Sequence, residues 1–416
     1  MDEQTALDGL EPPRLQPVPV ARVIVDVDFA HLDRPLDYLI PESLVERALV
    51  GVIVRVPLAG KIHNGWIESV SQMVPEHRLQ PIASVVSRVP VTTPMLLTIA
   101  RSIADRHVAT LPQTLSLAIP ARHAGAEKEY LAQAPATPHP PAPPEGTAWA
   151  DHRNGALLLS HLAHGDGPRS VWSALGPTRD ARLMELVLAT RASGRSVIVV
   201  VPTSHHAQLM HSLIEKTMSE PVGLSSSDTP ASERYRLHLD ALAGSVRIIV
   251  GTRSAVWTPA KDLGLIIVWD DGDDHLHELR APRCDALDVA VTRAHLEGCG
   301  LVAAGYSRSV KAQSLVATGW AVSLTDDHPI RRSLTPSIRV LDESDAEAAG
   351  PSGRMRIPPQ VVEFARGSMA DGPVLIQVAS AGYIPVISCD RCHSIARCST
   401  CSGTLSVGPD SVVSCK

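Results

Sequence analysis

The side chains best suited to chemistry are a run of carboxylates and a group of thiols. Four aspartates follow the apolar run GLIIVW: Asp270, Asp271, Asp273 and Asp274. Carboxylates at the end of a buried parallel strand hold Mg²⁺ and help to position the attacking water in α/β nucleotide hydrolases. Here the first residue after LIIV is Trp269 rather than an acid. The stretch 247–274 therefore indicates a fold of the nucleotide-hydrolase kind that has lost a metal ligand.

Two interpretations of the aspartates remain open. They could form a relocated metal site, or they could be a solvated acidic loop, which is what such runs usually are. The spacing alone favours the loop.

The thiols are concentrated at the end of the chain. Five of the seven cysteines lie in residues 389–416: Cys389, Cys392, Cys398, Cys401 and Cys415. Two CxxC pairs in a reducing compartment indicate metal binding rather than disulfides. Each pair can supply two sulfurs to a tetrahedral zinc site at about 2.3 Å. Cys284 and Cys299 are isolated, and we expect them to be small core residues.

Composition excludes some classes of protein. The formal net charge of -6 gives no global basic field, and 3% aromatic residues argue against extended base-stacking surfaces. No apolar run is long enough to span a membrane, and the acidic, Pro-rich start is unlike a targeting peptide. We therefore expect a cytoplasmic protein without a membrane partner.

Patterning along the chain predicts a multidomain α/β fold. Short β-branched runs separated by turns predict a small β-rich domain, and helical spacing after it suits a winged-helix-like module, with LSLAIP as a closing strand. APATPHPPAPPEG predicts a polyproline-like linker. Strands then alternate with amphipathic helices, which predicts a parallel sheet covered on both faces. The expected segments are a disordered leader (1–19), the β-rich domain (20–92), the helical module (93–133), the linker (134–148), the α/β lobe (149–330), the start of a second lobe (331–388) and a partial zinc region (389–416).

These segments resemble the primosomal protein N′ (PriA) replication-restart family, in a helicase-inactive, actinobacterial-like form. SERYRLHLDALAGSVRIIV and GTRSAVWTPAKDLGLIIV resemble its RecA-like first helicase lobe. RPLDYLIPE, GVIVRVPLAG and GWI are similar to its N-terminal domain, which captures the 3′ end of a nascent DNA strand. PMLLTIARSIADRHVATLPQTLSLAIP resembles the start of its winged-helix domain, and AGYIPVISCDRCHSIARCSTCSGTL resembles the entry to its zinc-binding insertion. The matches follow the family's order over most of the chain.

The resemblance also implies that four elements of ATP hydrolysis are degraded. The family's GSGKT phosphate loop has no counterpart before SVIVVVP, an interval with Gly165 and Gly167 but no lysine. Its DEEH motif falls on Trp269–Gly272, its GSATPS motif on Ala304–Val310 and its NRRGY motif on Val378–Tyr383. We therefore expect no ATP–Mg²⁺ cofactor and no enzymatic activity.

In that case Asp270 and Asp271 are vestiges of a catalytic site. Asp270 stands where the family has the glutamate of its motif.

The predicted DNA pocket is better preserved. The family's FDY motif falls on Leu36, Asp37 and Tyr38, with leucine in place of phenylalanine, and Gly51 matches the glycine beside the pocket. A carboxylate can accept a hydrogen bond from a 3′-OH but repels a phosphate, and glycine allows a close backbone approach. The alternative is that Asp37 is a turn residue and Gly51 opens a strand.

The resemblance implies two zinc ions bound by four interleaved CxxC pairs. Here the first zinc would have two ligands, Cys389 and Cys392, and the second at most three. We therefore expect weak zinc binding, and either a truncated chain or a natural protein that continues past Lys416.

The implied function is replication restart without helicase activity. The partners would be branched DNA (stalled forks and D-loops), single-strand binding protein, primosome proteins and the replicative helicase, at the nucleoid. Two alternatives remain: an active ATP-dependent 3′–5′ DNA helicase, and a truncated product without function.

Overall fold

The structure is a computed structural model that describes residues 17–133, 136–355, 357–377, 386–389, 391–408 and 412–415. The chain forms two compact units, Met1–Pro336 and Ser337–Lys416. The first contains an antiparallel sheet and a seven-stranded parallel sheet, which confirms the predicted multidomain α/β class. None of the described helices combines the length and apolarity needed to cross a bilayer.

The first unit begins with a five-stranded antiparallel sheet. Its strands are β1 (Val18–Val25), β2 (Leu36–Leu39), β3 (Ile53–Leu58), β4 (Lys61–Met73) and β5 (Ser84–Val85). They lie in the order β2-β1-β4-β3-β5. Strand β1 begins two residues before the predicted domain start because it pairs with β4 along its whole length. One face encloses a core rich in valine and isoleucine, and the other carries Ile24, Ile53 and Trp66 into a core shared with the following helices.

Three helices follow: α1 (Pro94–Arg106), α2 (Leu111–Ala118) and α3 (Ala124–Ala132). The expectation that LSLAIP forms a strand is wrong. Thr110 and Gln113 form a reciprocal capping box, which begins a helix at Leu111 and carries it through LSLA. Residues 93–133 contain helices and no strand. The winged-helix assignment of this segment stays a prediction.

The parallel sheet forms the rest of the first unit. Its strands are β6 (Arg169–Ser173), β7 (Ser196–Val200), β8 (Val222–Ser225), β9 (Ile248–Gly251), β10 (Leu263–Trp269), β11 (Gly300–Gly305) and β12 (Val322–Leu324). Their order is β12-β6-β11-β10-β7-β9-β8. The helices are α4 (Gly155–Ala163), α5 (Arg179–Ala192), α6 (Ser204–Thr217), α7 (Ala231–Ala243), α8 (Ala286–Leu296), α9 (Val310–Ala317) and α10 (His328–Leu334). Alternate residues of β10 enter different cores on the two faces, as a strand covered on both sides requires.

The second unit is smaller. It contains α11 (Glu343–Ala348), α12 (Pro359–Ser368) and an antiparallel pair, β13 (Leu405–Val407) and β14 (Val413–Cys415). Residues 373–377, an apolar run (PVLIQ) in the segment expected to start the second lobe, form no regular structure. The counterpart of the NRRGY motif at Val378–Tyr383 lies outside the described residues. A second helicase lobe therefore stays a prediction.

Candidate functional sites

Gly51 lies where three segments of the antiparallel sheet region meet. Its N–H donates to the carbonyl of Ile67 and its carbonyl accepts from the N–H of Val91, both at 2.8 Å. Its φ of +86° lies in the left-handed region, and a Cβ at this position would come within 2.4 Å of the Thr92 carbonyl oxygen. Glycine is therefore required here both by backbone conformation and by space.

The other predicted pocket residues lie on β2 and point to opposite faces. Tyr38 is buried in the core of the antiparallel sheet, and its hydroxyl donates to the carbonyl of Pro57 at 3.1 Å. Burial raises the pKa of the Tyr38 hydroxyl. Leu36 packs against the same core, whereas the exposed Asp37 lies 3.9 Å from Arg22 Nε. The structure thus leaves Asp37 open to a ligand and keeps the Tyr38 ring away from one.

The turn between β6 and α5 occupies the position of a phosphate loop in a nucleotide-binding sheet. Pro177 has no N–H to offer a phosphate, and Asp180 brings a negative charge into the first turn of α5. Gly176 has a φ of +78°, and a Cβ there would lie 3.0 Å from a methyl carbon of Leu334. The Leu334 side chain from α10 therefore lies against this turn. A turn that lacks an N–H at Pro177 and has Leu334 packed against Gly176 is poorly shaped to cradle a phosphate.

The two glycines of the interval before SVIVVVP do not lie in this turn. Gly165 and Gly167 precede β6, at the end of the strand opposite to the turn. Gly165 follows the last turn of α4 with a φ of +82°, and a Cβ at Gly167 would meet the Gly298 carbonyl oxygen at 2.6 Å. Chain geometry therefore explains both glycines without a phosphate site.

Strand β10 ends in an aromatic residue that belongs to the core. The Trp269 ring meets the Trp172 ring edge-on with 5.8 Å between centroids, and Trp172 lies 5.1 Å from Trp149. Trp269 is only 9% exposed. An acid here would have to be buried in this aromatic cluster, so the indole accounts for the missing first carboxylate.

The next two aspartates are partly or fully withdrawn from water. Asp270 has a φ of +52°, and burial raises the pKa of its carboxyl, an effect opposed mainly by His206. Asp271 is 3% exposed, and its Oδ2 has no hydrogen-bond partner among the described residues. Burial raises the pKa of Asp271 although hydrogen bonds from Ser309 lower it. Within the described part of the chain, no three of the predicted aspartates have oxygens within 4.8 Å of one another. The geometry gives no support to a relocated metal site, but the burial of Asp271 does not match a solvated loop either.

In the second unit the structure brings three cysteines together. The sulfurs of Cys398, Cys401 and Cys415 all lie within 4.8 Å of one another. Backbone hydrogen bonds from Cys401 and Thr400 lower the pKa of Cys398 to about 7, which favours the thiolate that binds metals. Three thiols at this separation fit a zinc site. Cys389 and Cys392 are not part of this cluster, and Cys392 Sγ lies 3.1 Å from the Ser394 hydroxyl.

Sequence reasoning missed a groove of 730 Å³ along the carboxyl edge of the parallel sheet. One wall is the segment 116–121, and the other carries the charged residues Arg234, Arg253, Arg280 and Glu278. Three arginines against one glutamate give the groove a positive charge, although the net charge of the chain is negative. The signal in the sequence was Arg253, which follows β9 in GTRSA.

Glu278 organises two of these arginines. Its carboxylate accepts from Arg253 Nε at 3.2 Å and from the backbone N–H of Arg280 at 3.1 Å, and the Arg280 Nε lies 3.6 Å away. Burial raises the pKa of Glu278, but the hydrogen bonds from Arg280 and Arg253 outweigh this and lower it. Arg253 is therefore held at the groove, while the largely exposed Arg280 guanidinium beside Glu278 can reach an anionic chain such as a phosphate backbone.

Comparison with known proteins places these features in a family. Residues 22–120 match the family model described as the PriA 3′DNA-binding domain (3′BD). The chain is 38% identical over 384 residues to the probable replication restart protein PriA of Mycobacterium bovis and to that of Mycobacterium tuberculosis. These matches support the PriA family. The chain is also 23% identical over 378 residues to the replication restart protein PriA of Rickettsia conorii.

These alignments cover 91% of the chain and 58% of the mycobacterial PriA proteins, and 90% of the chain and 56% of the rickettsial one. The chain thus spans somewhat more than half the length of these relatives. Two solved structures are also similar. RecG bound to a three-way DNA junction is 15% identical with a TM-score of 0.31, and the match covers 56% of this chain and 29% of RecG. The Hef helicase domain of Pyrococcus furiosus is 13% identical with a TM-score of 0.30, and the match covers 52% of this chain and 53% of that domain. TM-scores this low do not by themselves establish a shared fold.

The PriA match has a clear extent on the structure. It begins within β1 and ends at Pro120, just after α2, so it includes all four predicted pocket residues. It also includes most of the 116–121 wall of the groove.

Proposed function

We propose that this PriA-family chain binds branched DNA and engages a free 3′ end with its N-terminal sheet. The match of residues 22–120 to the PriA 3′DNA-binding domain carries the proposal, because it includes Leu36, Asp37, Tyr38 and Gly51. The arginine-lined groove supports it, since that groove could hold a phosphate backbone beside this domain. Affinity would come largely from phosphate contacts and fall as the salt concentration rises.

Asp37 would recognise the end itself. Its carboxylate is exposed and could accept a hydrogen bond from a 3′-OH, whereas a 3′-phosphate would be repelled. Gly51 would let the nucleotide approach the backbone closely. Tyr38 would act indirectly by holding β2 against the core, because its ring is buried and its hydroxyl is bound to Pro57.

We further propose that the chain works without ATP hydrolysis. Pro177 and the overlying Leu334 both disfavour a phosphate at the β6–α5 turn. Trp269 removes the first carboxylate of the metal-binding strand. The chain would then act as a scaffold at stalled forks and D-loops, through which primosome proteins and single-strand binding protein help reload the replicative helicase at the nucleoid.

Zinc would serve a structural role in the second unit. Cys398, Cys401 and Cys415 would be its ligands, and the bound ion would cross-link the CxxC turn to β14. Cys389 and Cys392 would belong to a separate pair.

Binding to matched forks tests the proposal. We expect tighter binding to a fork with a 3′-OH at the junction than to the same fork with a 3′-phosphate, and we expect Asp37→Asn to reduce the difference. Glu42→Gln, at an exposed acid beyond β2, is the matched control. Equal affinity of the wild type for both forks would rule out the 3′-end pocket.

ATP turnover separates the scaffold from an active 3′–5′ helicase. We expect no DNA-stimulated phosphate release at micromolar protein and no binding of a fluorescent ATP analogue. ATP turnover that is abolished by Asp270→Asn would favour an active helicase and would contradict the proposed scaffold role.

A further inference from the structure

One short segment joins the 3′-end site to the helices that follow it. Residues 87–92 lead from β5 towards α1 and hold Gly51 in place. The Val91 N–H donates to the Gly51 carbonyl at 2.8 Å, and the Thr92 carbonyl lies against the Gly51 α-carbon. The segment is also tied to β3, because the Ile53 N–H donates to the Ser87 hydroxyl at 2.8 Å. Gly51 has no side chain of its own, so its backbone position depends on these neighbours.

Helix α7 of the parallel-sheet region holds the same segment. His238 Nε2 lies 2.6 Å from the Val91 carbonyl oxygen, and His238 is 3% exposed. A carbonyl can only accept, so Nε2 carries the proton and donates it. Burial lowers the pKa of His238 to about 4, although the bond to Val91 opposes this, and the imidazole is therefore neutral near pH 7.

We propose that His238 is a positioning residue for the 3′-end site: through Val91 it sets the backbone position of Gly51, so that end recognition depends on the parallel-sheet region. The inference rests on the 3′-end function proposed above. Val91 carries both bonds, since its carbonyl accepts from His238 and its N–H donates to Gly51. Without the histidine donor, a buried carbonyl lacks its partner and the segment must shift or admit water.

Three variants test this in the full chain. His238→Leu removes the donor at similar volume, and His238→Gln keeps an N–H at a similar reach. His211→Leu is the matched control, because His211 Nε2 also bonds a backbone carbonyl, that of Val222 at 2.9 Å, but on α6 and away from Gly51.

The readout is the ratio of affinities for forks with a 3′-OH and a 3′-phosphate. We expect His238→Leu to reduce this ratio by roughly ten-fold, with His238→Gln restoring most of it and His211→Leu leaving it unchanged. The salt dependence of binding should be the same in all variants, since it reports phosphate contacts. A ratio unchanged by His238→Leu, or lost equally in the glutamine variant, would overturn the proposal.

Hydrogen–deuterium exchange makes the test independent of DNA. In His238→Leu the amides of Val91 and Gly51 should exchange faster, while those of β7 and β10 keep their wild-type rates. If the wild type binds the two forks equally, the proposed 3′-end function is wrong. The exchange rates then still test whether His238 positions Val91 and Gly51. Unchanged exchange at Val91 and Gly51 would refute that positioning role. If the leucine variant does not fold, His238→Asn, with a shorter donor, takes its place in both measurements.

Discussion

The buried carboxylate of Glu127 should be one of the most sensitive positions of the first unit. It is fully buried on α3 and accepts hydrogen bonds from the Arg88 N–H (3.0 Å), from Arg122 (2.8 and 2.9 Å) and from the Tyr235 hydroxyl (2.8 Å). Burial raises its pKa, but these bonds outweigh burial and hold the pKa below its usual value. Glu127 therefore joins the segment before α1, helix α3 and helix α7 through one side chain.

The expected cost follows from these partners. Glu127→Ala leaves Arg122 without its counter-ion, and the buried Tyr235 hydroxyl and the partly buried Arg88 N–H without an acceptor, so we expect a loss of about 3–5 kcal/mol in the free energy of unfolding. Tyr235→Phe removes one bond to a charged acceptor and should cost about 1.5–3 kcal/mol. Because both changes break the same bond, the double variant should cost less than the sum by at least about 0.5 kcal/mol.

Urea denaturation followed by far-UV circular dichroism measures these values. Glu129→Gln, at an exposed acid on the same helix, is the control and should stay within about 0.5 kcal/mol of wild type. The pKa of Glu127 is lowered in the folded state, so its contribution is present above the unfolded pKa and lost as the pH falls through the folded value. The loss in the free energy of unfolding caused by Glu127→Gln should therefore become smaller as the pH falls. Additive effects of Glu127→Ala and Tyr235→Phe, or a loss below about 1 kcal/mol, would refute this account.

Three further predictions concern the carboxyl edge and the cysteines. Asp271→Asn should stabilise the chain by about 1 kcal/mol at pH 7, because the pKa of Asp271 is raised and the stability that its protonated form gives is lost as the pH rises through that value. Thermal melts should show the difference in stability between variant and wild type becoming smaller towards acid pH. A variant less stable than the wild type at pH 7 would contradict this. Trp269→Ala should cost about 3–5 kcal/mol in urea denaturation without producing ATP turnover. Cys398→Ser should lower the zinc retained after dialysis, measured with a colorimetric chelator, whereas Cys389→Ser should leave the site of the three clustered cysteines occupied.

The strands and helices of the parallel sheet could be predicted because their signals are local. β-branched runs such as SVIVV and LGLIIVW alternate with amphipathic helices, and each run became a fully buried strand. LSLAIP was predicted wrongly for a reason that is also local. Its apolar run suits a strand. However, Thr110, five residues before Leu115, forms a helix cap with Gln113, and the helix that starts there continues through LSLA.

The candidate sites show what residue types alone leave open. Asp37 and Tyr38 are adjacent in the sequence, yet strand alternation exposes the first and buries the second. The groove arginines come from three separate segments, so their proximity depends on the fold. Leu334 lies far along the chain from Gly176, and no local signal predicts that it would lie against the β6–α5 turn.

The contacts between the two sheet regions bear on the proposal that the parallel sheet serves to hold DNA. The parts concerned are the antiparallel-sheet region with the helices that follow it and the parallel-sheet region. Here Glu127–Tyr235 and His238–Val91 are buried bonds between these parts, and breaking them would leave unsatisfied polar groups inside the protein. Such bonds favour one fixed arrangement, in which the arginine groove and Gly51 keep the same relative position. A scaffold that presents a DNA end uses such rigidity, so these bonds support the proposal that the parallel-sheet region helps to hold DNA.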